Sequence, residues 1–330
     1  MVEKIFSSSV GTKLALKTGK KPYKEFYCYQ VSKGLKISFG SAKALLEALE
    51  KEGILLSSKK GKKTVYKLNA SNKAAYGIIS MAHKDATSGL EGKYSSNIYA
   101  LGGVYRRALA NNLVSAVLFG SIATKRARKW SDIDVLLIVR RKVGIRARTR
   151  VDKGVRSATG KCYNYPEEHF FTKKQFKSYY DMGNDFLINI MKEGVILYDT
   201  SYFSRYLMKG LPNVTKGAIE NRLKIASEFL DPSLEWYEKF PNIVPESLGV
   251  ASMHISRALL LLNGILPRSK HDVPRQLERM GEVRFSKVYK TTRKWFDSAP
   301  LEVKRESVEK ALAFLKGKYD ECRRELEKWP

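Results

Sequence analysis

The sequence predicts an α+β chain of several domains: a small helical module closed by a β-hairpin, a mixed β-sheet flanked by helices, and an α-helical bundle. Three observations carry this. Between Ile37 and Asn69 a helical apolar stripe is followed by two short β-prone runs around a glycine turn. Between Leu113 and Val139 two apolar β-prone runs are separated by a polar connector. From Lys173 onward apolar residues recur at helical spacing, punctuated by Pro232, Pro241, Pro267 and Pro300. At 330 residues the chain can hold two or three cores, since one core rarely grows past about 250–300 residues. The expected divisions are 1–70, 71–200 and 201–330.

Charge narrows the partners. The formal net charge is +28, from 61 Lys and Arg against 33 Asp and Glu. Such a field disfavours neutral or cationic partners and favours phosphate polyanions, with nucleic acid, duplex DNA or RNA, at their head. The 43% of hydrophobic residues is enough for packed cores and too much for a disordered chain. Cys28, Cys162 and Cys322 form no CxxC pair, and the four histidines show no metal-ligand spacing, which argues against a disulfide framework or a zinc site. No apolar run approaches the roughly 18 residues of a membrane span. The first residues also lack a signal-peptide core. The expectation is a cytoplasmic protein without a membrane partner.

The first region builds its main helix from Ser38, a capping residue, with Ala42, Leu45, Leu46 and Leu49 on one face and Gly53 as the stop. Strands follow at Ile54–Ser57 and Thr64–Leu68 across the turn KKGKK, and EFYCYQVSKGLK supplies a preceding helix and turn. Residues 1–75 hold sixteen lysines, no arginine and five acidic residues. Lysine without arginine suits phosphate contact more than base readout. Helix, turn, helix and basic hairpin resemble the winged helix-turn-helix of archaeal and bacterial regulators. That resemblance implies that the helix carrying Ser41, Lys43 and Glu47 enters the major groove, with Lys59, Lys60, Lys62 and Lys63 along phosphate. The alternative use of such a module is protein docking with solvated lysines.

Residues from Asn72 to Asn112 are expected to form two helices, broken near Gly89 and Gly92. A strand, Leu113–Phe119, then ends at Gly120-Ser121. Ser131-Asp132-Ile133-Asp134 opens a second strand, VLLIV. Strand side chains alternate faces, so Asp132 and Asp134 point the same way. Two neighbouring carboxylates repel unless a cation lies between them, and Mg²⁺ favours one or two carboxylates together with substrate phosphate oxygens. Gly120 permits close approach of backbone to phosphate.

Gly120-Ser121, ten residues, then Asp132-Ile133-Asp134, within FGSIA…SDIDVLLIV, resembles the polymerase-β-like minimal nucleotidyltransferases. The resemblance implies that Gly120 and Ser121 hold the triphosphate of an NTP, with ATP first among them. Asp132 and Asp134 would bind two Mg²⁺ ions, and NMP would pass to an acceptor hydroxyl. A third carboxylate is expected from a neighbouring strand. Within Lys161–Thr172, Glu168 is the first candidate and Glu167 the second; Tyr163 or Asn164 in that place would leave two carboxylates. Where this chain has Lys125, the family usually carries glycine or a small residue.

Twelve basic residues lie between Lys125 and Arg156, among them Lys125, Arg126, Arg128 and Lys129 in the connector. They read either as a solvated basic helix or as a nucleotide clamp, with Lys125 and Arg126 on phosphate, and a path for a polyanionic acceptor. FLINIMKEGVILY predicts a helix, a stop at Gly194 and a strand that closes the sheet. Helices are then expected at Lys216–Leu230, Glu246–Leu262, Val273–Met280, Phe285–Phe296 and Leu301–Trp329.

Ser252–Val273 is similar to the central helix and loop of HEPN-type bundles. The ribonuclease Arg-to-His spacing of that family is absent, because Arg268 and His271 are too close. This part is therefore expected to bind a helical partner protein or to form a homodimer. His271 and Asp272 are expected to cap the next helix, and His254 to be a core or interface histidine. The sequence thus supports an Mg-dependent nucleotidyltransferase coupled to nucleic-acid binding. The alternatives are a DNA-binding regulator with a degenerate or nucleotide-sensing nucleotidyltransferase fold, and an antitoxin-like module acting on a helical partner.

Overall fold

The structure is a computed structural model that describes residues 8–90, 92–127, 131–159, 166–230, 239–241, 243–298 and 303–329. The described residues of 1–179 and 188–211 form one compact unit, and those of 180–187 and 212–330 form a second.

The first unit begins with α1 (Ser9–Lys20), a helix the sequence reading did not single out, capped by Ser8, whose side chain accepts from Gly11 N. Then come β1 (Phe26–Tyr27), α2 (Cys28–Leu35), α3 (Phe39–Lys51), β2 (Leu55–Lys60) and β3 (Lys63–Leu68), in an antiparallel sheet of order β1-β3-β2. Ser38 caps α3 by accepting from Ser41 N at 3.0 Å. Ala42, Leu46 and Leu49 are buried, while Leu45 is only half-buried. The hairpin turn is tighter than KKGKK suggested. Lys60 pairs with Lys63, and Gly61 takes a φ of 59°, which a side chain would strain.

Two helices, α4 (Lys73–Ser88) and α5 (Gly92–Leu109), lead to a second sheet. Its strands are β4 (Leu113–Phe119), β5 (Ile133–Val139), β6 (Pro166–Thr172) and β7 (Val195–Asp199), in the order β6-β5-β4-β7. β5 and β6 are parallel, and both other pairs are antiparallel. The sheet also involves α6 (Gly120–Ala123), between β4 and β5, and α7 (Ile145–Thr159), which crosses from β5 to β6. Ile133, Val135, Leu137 and Val139 pack with Leu101, Val104, Tyr105, Val151 and Val155, so α5 and α7 cover one face. After β6 come α8 (Lys173–Met182) and α9 (Asp185–Glu193), which supply residues to both units, then β7 and α10 (Tyr202–Lys209). Asp199 holds the start of α10 by accepting from Phe203 N and Ser204 N.

The second unit contains α11 (Lys216–Leu230), α12 (Ile243–Leu262), α13 (Val273–Arg279), α14 (Val283–Asp297) and α15 (Arg305–Glu327) around an apolar core that includes Leu223, Leu248, Ile255, Leu259, Phe285 and Leu315. Within it Asp185, 1% exposed, accepts from Arg222 at 2.6 Å and Arg257 at 2.5 Å. His254 is buried beside Arg222, and burial, reinforced by Arg222 and Arg257, lowers its pKa to about 3. Asp272 does not cap α13 with its side chain. Its backbone is already helical, with ψ −25°, and its carboxylate accepts from Ser269 Oγ. Pro232, Pro300 and Leu301 lie outside the described residues. Among the described residues no helix is long and apolar enough to cross a membrane.

Candidate active site

The site is set by strand register. Phe119, the last residue of β4, pairs with Asp134, and Asp134 pairs with Glu167 in parallel β6. Paired residues share a face and alternate residues return to it, so Phe119, Asp134, Glu167 and His169 lie together on the face opposite α5 and α7. The ligand atoms of Asp134, Glu167 and His169 all fall within 4.8 Å of one another. His169 Nε2 is 3.6 Å from Glu167 Oε1, and its ring lies 5.4 Å from that of Phe119. Burial lowers the His169 pKa, with Glu167 opposing.

Gly120 turns the chain at the end of β4 with a φ of 75°. A β-carbon there would collide with the Asp134 carboxylate, so this position requires glycine for both conformation and space. Ser121 is half-buried, and its carbonyl accepts from Arg126 N at 2.8 Å. Lys125 adopts a φ of 58°, which is the physical reason a glycine is at home there. Its Nζ lies beside Gly89. Arg126 Nη2 is 3.7 Å from Glu193. Asp132 is exposed, one residue before β5, and is not one of the three clustered ligands.

Glu168, the first-choice third carboxylate, is placed elsewhere. It pairs with Val135, one step out of phase with Asp134, and therefore faces α5. There Tyr105 Oη donates to Glu168 Oε1 at 3.3 Å, and burial raises the Glu168 pKa. Glu167 is the carboxylate that meets Asp134. In the sequence Glu167 stands behind Glu168 as the candidate, and nothing there singles out His169. A strand starting at Pro166 puts residues 167 and 169 on one face, but only the register says which face that is. Tyr163, Asn164, Arg128 and Lys129 lie outside the described residues.

Two carboxylates and an imidazole nitrogen are a donor set suited to a divalent cation, Mg²⁺ through its oxygens and Mn²⁺ through both donor types. The basic residues after β5 are not gathered here. β5 carries the chain away from Asp134, so Arg140, Arg141, Lys142 and Arg146 stand at the other end of the sheet.

In the N-terminal module, Ser41 Oγ is 2.8 Å from Ser38 Oγ, and Lys43 lies 3.7 Å from Glu47. Lys59 donates to Thr64, Lys60 pairs with Glu25 at 2.5 Å, and Lys63 lies over the Tyr27 ring. Lys62 is exposed at the turn.

Residues 107–202 match the family model described as polymerase beta, nucleotidyltransferase. The matched span runs from the end of α5 through β7 and contains the whole site, so the chain carries a nucleotidyltransferase domain of the polymerase-β type. Among solved structures it is similar to the spectinomycin adenyltransferase of Enterococcus faecialis, solved with ATP and spectinomycin. The identity is 13%, 68% of this chain and 98% of that chain are covered, and the TM-score is 0.44. None of the curated proteins compared with the chain matches it.

Proposed function

We propose that this chain transfers a nucleoside monophosphate from an NTP, with ATP first among them, to an acceptor hydroxyl. The observation that carries the reading is the Phe119–Asp134–Glu167 register, which sets two carboxylates beside the Gly120-Ser121 turn inside a matched nucleotidyltransferase span. In the reaction the acceptor oxygen bonds to the α-phosphorus, the bond to the bridging β-phosphate oxygen breaks, and pyrophosphate leaves. The hydroxyl proton goes to a base. Glu167, whose second carboxylate oxygen stays free of a metal bound to the first, is the group at hand for that proton.

Gly120 and Ser121 hold the triphosphate, with Lys125 and Arg126 next to it along the chain. Asp132, Asp134 and Glu167 hold divalent metal, with His169 as a nitrogen donor. Bound there, the ion neutralises phosphate charge. A direct test is pyrophosphate release from labelled NTP with Mg²⁺ or Mn²⁺ over a panel of hydroxyl acceptors. Release that disappears in Asp134→Ala supports the reading, and no release with any acceptor sinks it.

A second reading takes the N-terminal module, with its element order α1-β1-α2-α3-β2-β3, as a winged helix. Five of the six residues of β2 are exposed, including Lys59 and Lys60. This favours nucleic-acid contact by the hairpin, with Ser41 and Lys43 on the helix before it. Neutralising Lys59, Lys62 and Lys63 should flatten the salt dependence of duplex DNA or RNA binding by about 2–3 in log–log slope.

A further inference from the structure

We infer that the end of the catalytic sheet farthest from Asp134 is a second nucleic-acid backbone site, built on arginine and separate from the lysine-rich hairpin. The cations come from three segments that converge there. Arg107 lies in the last turn of α5, Arg140, Arg141 and Lys142 follow β5 directly, and Arg146 and Arg150 lie on the first turns of α7. All six are exposed. The convergence is fixed by backbone contacts: Arg140 Nε donates to Asn111 O at 2.8 Å, Arg141 N to the Asn112 side chain at 2.9 Å, and Arg150 Nε to Ala108 O at 3.3 Å. Lys173 and Lys174, which open α8 after parallel β6, stand at the same end of the sheet.

Two of these arginines have a structural task, because Arg140 and Arg150 satisfy carbonyls at the end of α5 and in the turn after it. Arg141, Lys142 and Arg146 do not. No acidic side chain among the described residues pairs with them, and the one carboxylate on α7, Asp152, is taken by Arg156 at 3.0 Å. So much unpaired positive charge is self-repelling and is relieved by a polyanion. Guanidinium forks suit phosphate in particular. From Arg146 to Arg150 and Lys153 the exposed cations follow one stripe of α7, about 10 Å long by helix rise, which matches about three phosphates of a strand.

An anionic membrane is the competing surface, and Ile145, 85% exposed at the start of α7, is its best support. Membrane-lying helices need a whole apolar face, and here Val151 and Val155 are buried against α5 instead. The patch is also distinct from the nucleotide site. Five residues of β5 lie between Arg140 and Asp134, six strand rises or about 20 Å, so the inference does not rest on nucleotidyl transfer.

The test measures binding of the full chain to a labelled 20-nucleotide RNA and a 20-base-pair DNA across a salt series, without NTP or divalent metal. The variants are Arg141→Ala/Lys142→Ala/Arg146→Ala, the hairpin set Lys59→Ala/Lys62→Ala/Lys63→Ala, and both together. The patch triple should lower the log–log salt slope by about 2–3 and weaken binding by at least about tenfold. It should do so in the hairpin-neutralised background as well, with an unchanged melting temperature. Arg146→Glu alone, on an exposed side chain that supports no contact in the fold, should move affinity the same way and guards against a folding defect in the triple. Unchanged affinity and slope in the patch variants would overturn the inference. So would binding of anionic vesicles, but of neither nucleic acid, through these residues.

Discussion

Adjacent glutamates on β6 give the sharpest test of the site, because the register assigns them to opposite faces of one strand. Glu167→Gln removes a carboxylate that meets Asp134 and His169 but changes no buried apolar contact. Loss of a proton acceptor or metal carboxylate of this kind costs about 10²–10⁴ in rate, or about 3–5 kcal/mol of barrier at 1.36 kcal/mol per decade. Glu168→Gln keeps an acceptor for Tyr105, whose bond contributes about 0.5–1.5 kcal/mol, so stability should stay within about 1 kcal/mol and turnover within about threefold.

The pH dependence separates them further. Burial raises the folded pKa of Glu168, so the folded state holds its proton more tightly than the unfolded chain. Its contribution is therefore favourable at low pH and is lost as pH rises past the unfolded value through the raised folded one. Glu168→Gln should match the parent near pH 4 and equal or exceed its melting temperature at pH 7. The assay is pyrophosphate release beside thermal melts at both pH values. Loss of turnover in Glu168→Gln with retention in Glu167→Gln would refute the register argument.

Three other substitutions probe separate parts of the chain. Lys125→Gly removes a side chain from a φ of 58°. The relief of about 1–2 kcal/mol, less about 0.5–1 for glycine's chain entropy, should raise stability by up to about 1.5 kcal/mol in a denaturant melt, while the lost ammonium raises the KM for NTP. Gly120→Ala combines a φ of 75° with a collision against Asp134; expected are a destabilisation of about 1–3 kcal/mol and activity down about 10²-fold or more. Asp185→Asn leaves the buried Arg222 and the half-buried Arg257 without their carboxylate, which should cost about 3–5 kcal/mol in urea melts. Burial pushes the Asp185 carboxyl up, but the two arginines outweigh it and hold it below the usual range. Its stabilisation is present above the unfolded value near about 4 and fades as pH falls through the lowered folded one, so the asparagine chain should show no matching loss there.

Much of this was legible because side-chain pattern and backbone chemistry agreed. Ser38, Gly53 and the apolar stripe between them fix α3 locally, and Gly120 announces a turn that no other residue fits. The DxD strand was legible for the same reason, since an apolar run opened by carboxylates has few other uses. What the residues could not give was register. Glu167 and Glu168 are chemically equal in sequence, and a one-residue slip exchanges their faces; β6 pairing with β5 decides between them. The same limit misplaced the basic run. Counted along the chain, Arg140–Arg150 follow Asp134 closely, yet the five remaining residues of β5 lie between and carry them to the far end of the sheet. α1 leaves little trace in the sequence because its apolar face is short, with Leu14 and Ala15 buried beside glycines that lower helix propensity.

The helix α4 explains why the N-terminal module and the catalytic sheet form one compact unit. On one side Gly19 of α1 packs so tightly against Ile78 and Ala82 that a β-carbon would clash, and Lys20 pairs with Asp85 at 2.9 Å. On the other side His83, 3% exposed, accepts from Ile196 N of β7 through Nδ1 at 3.2 Å. Burial first, then Lys20, lowers its pKa to about 4, so the ring is neutral. Nδ1 accepts, and the proton therefore resides on Nε2. That atom is buried and has no partner among the described residues, a cost of about 1–3 kcal/mol. A neutral histidine is kept at that cost where an apolar residue would leave the β7 amide unpaired. The result is one helix clamped to both partners by close packing and a buried hydrogen bond.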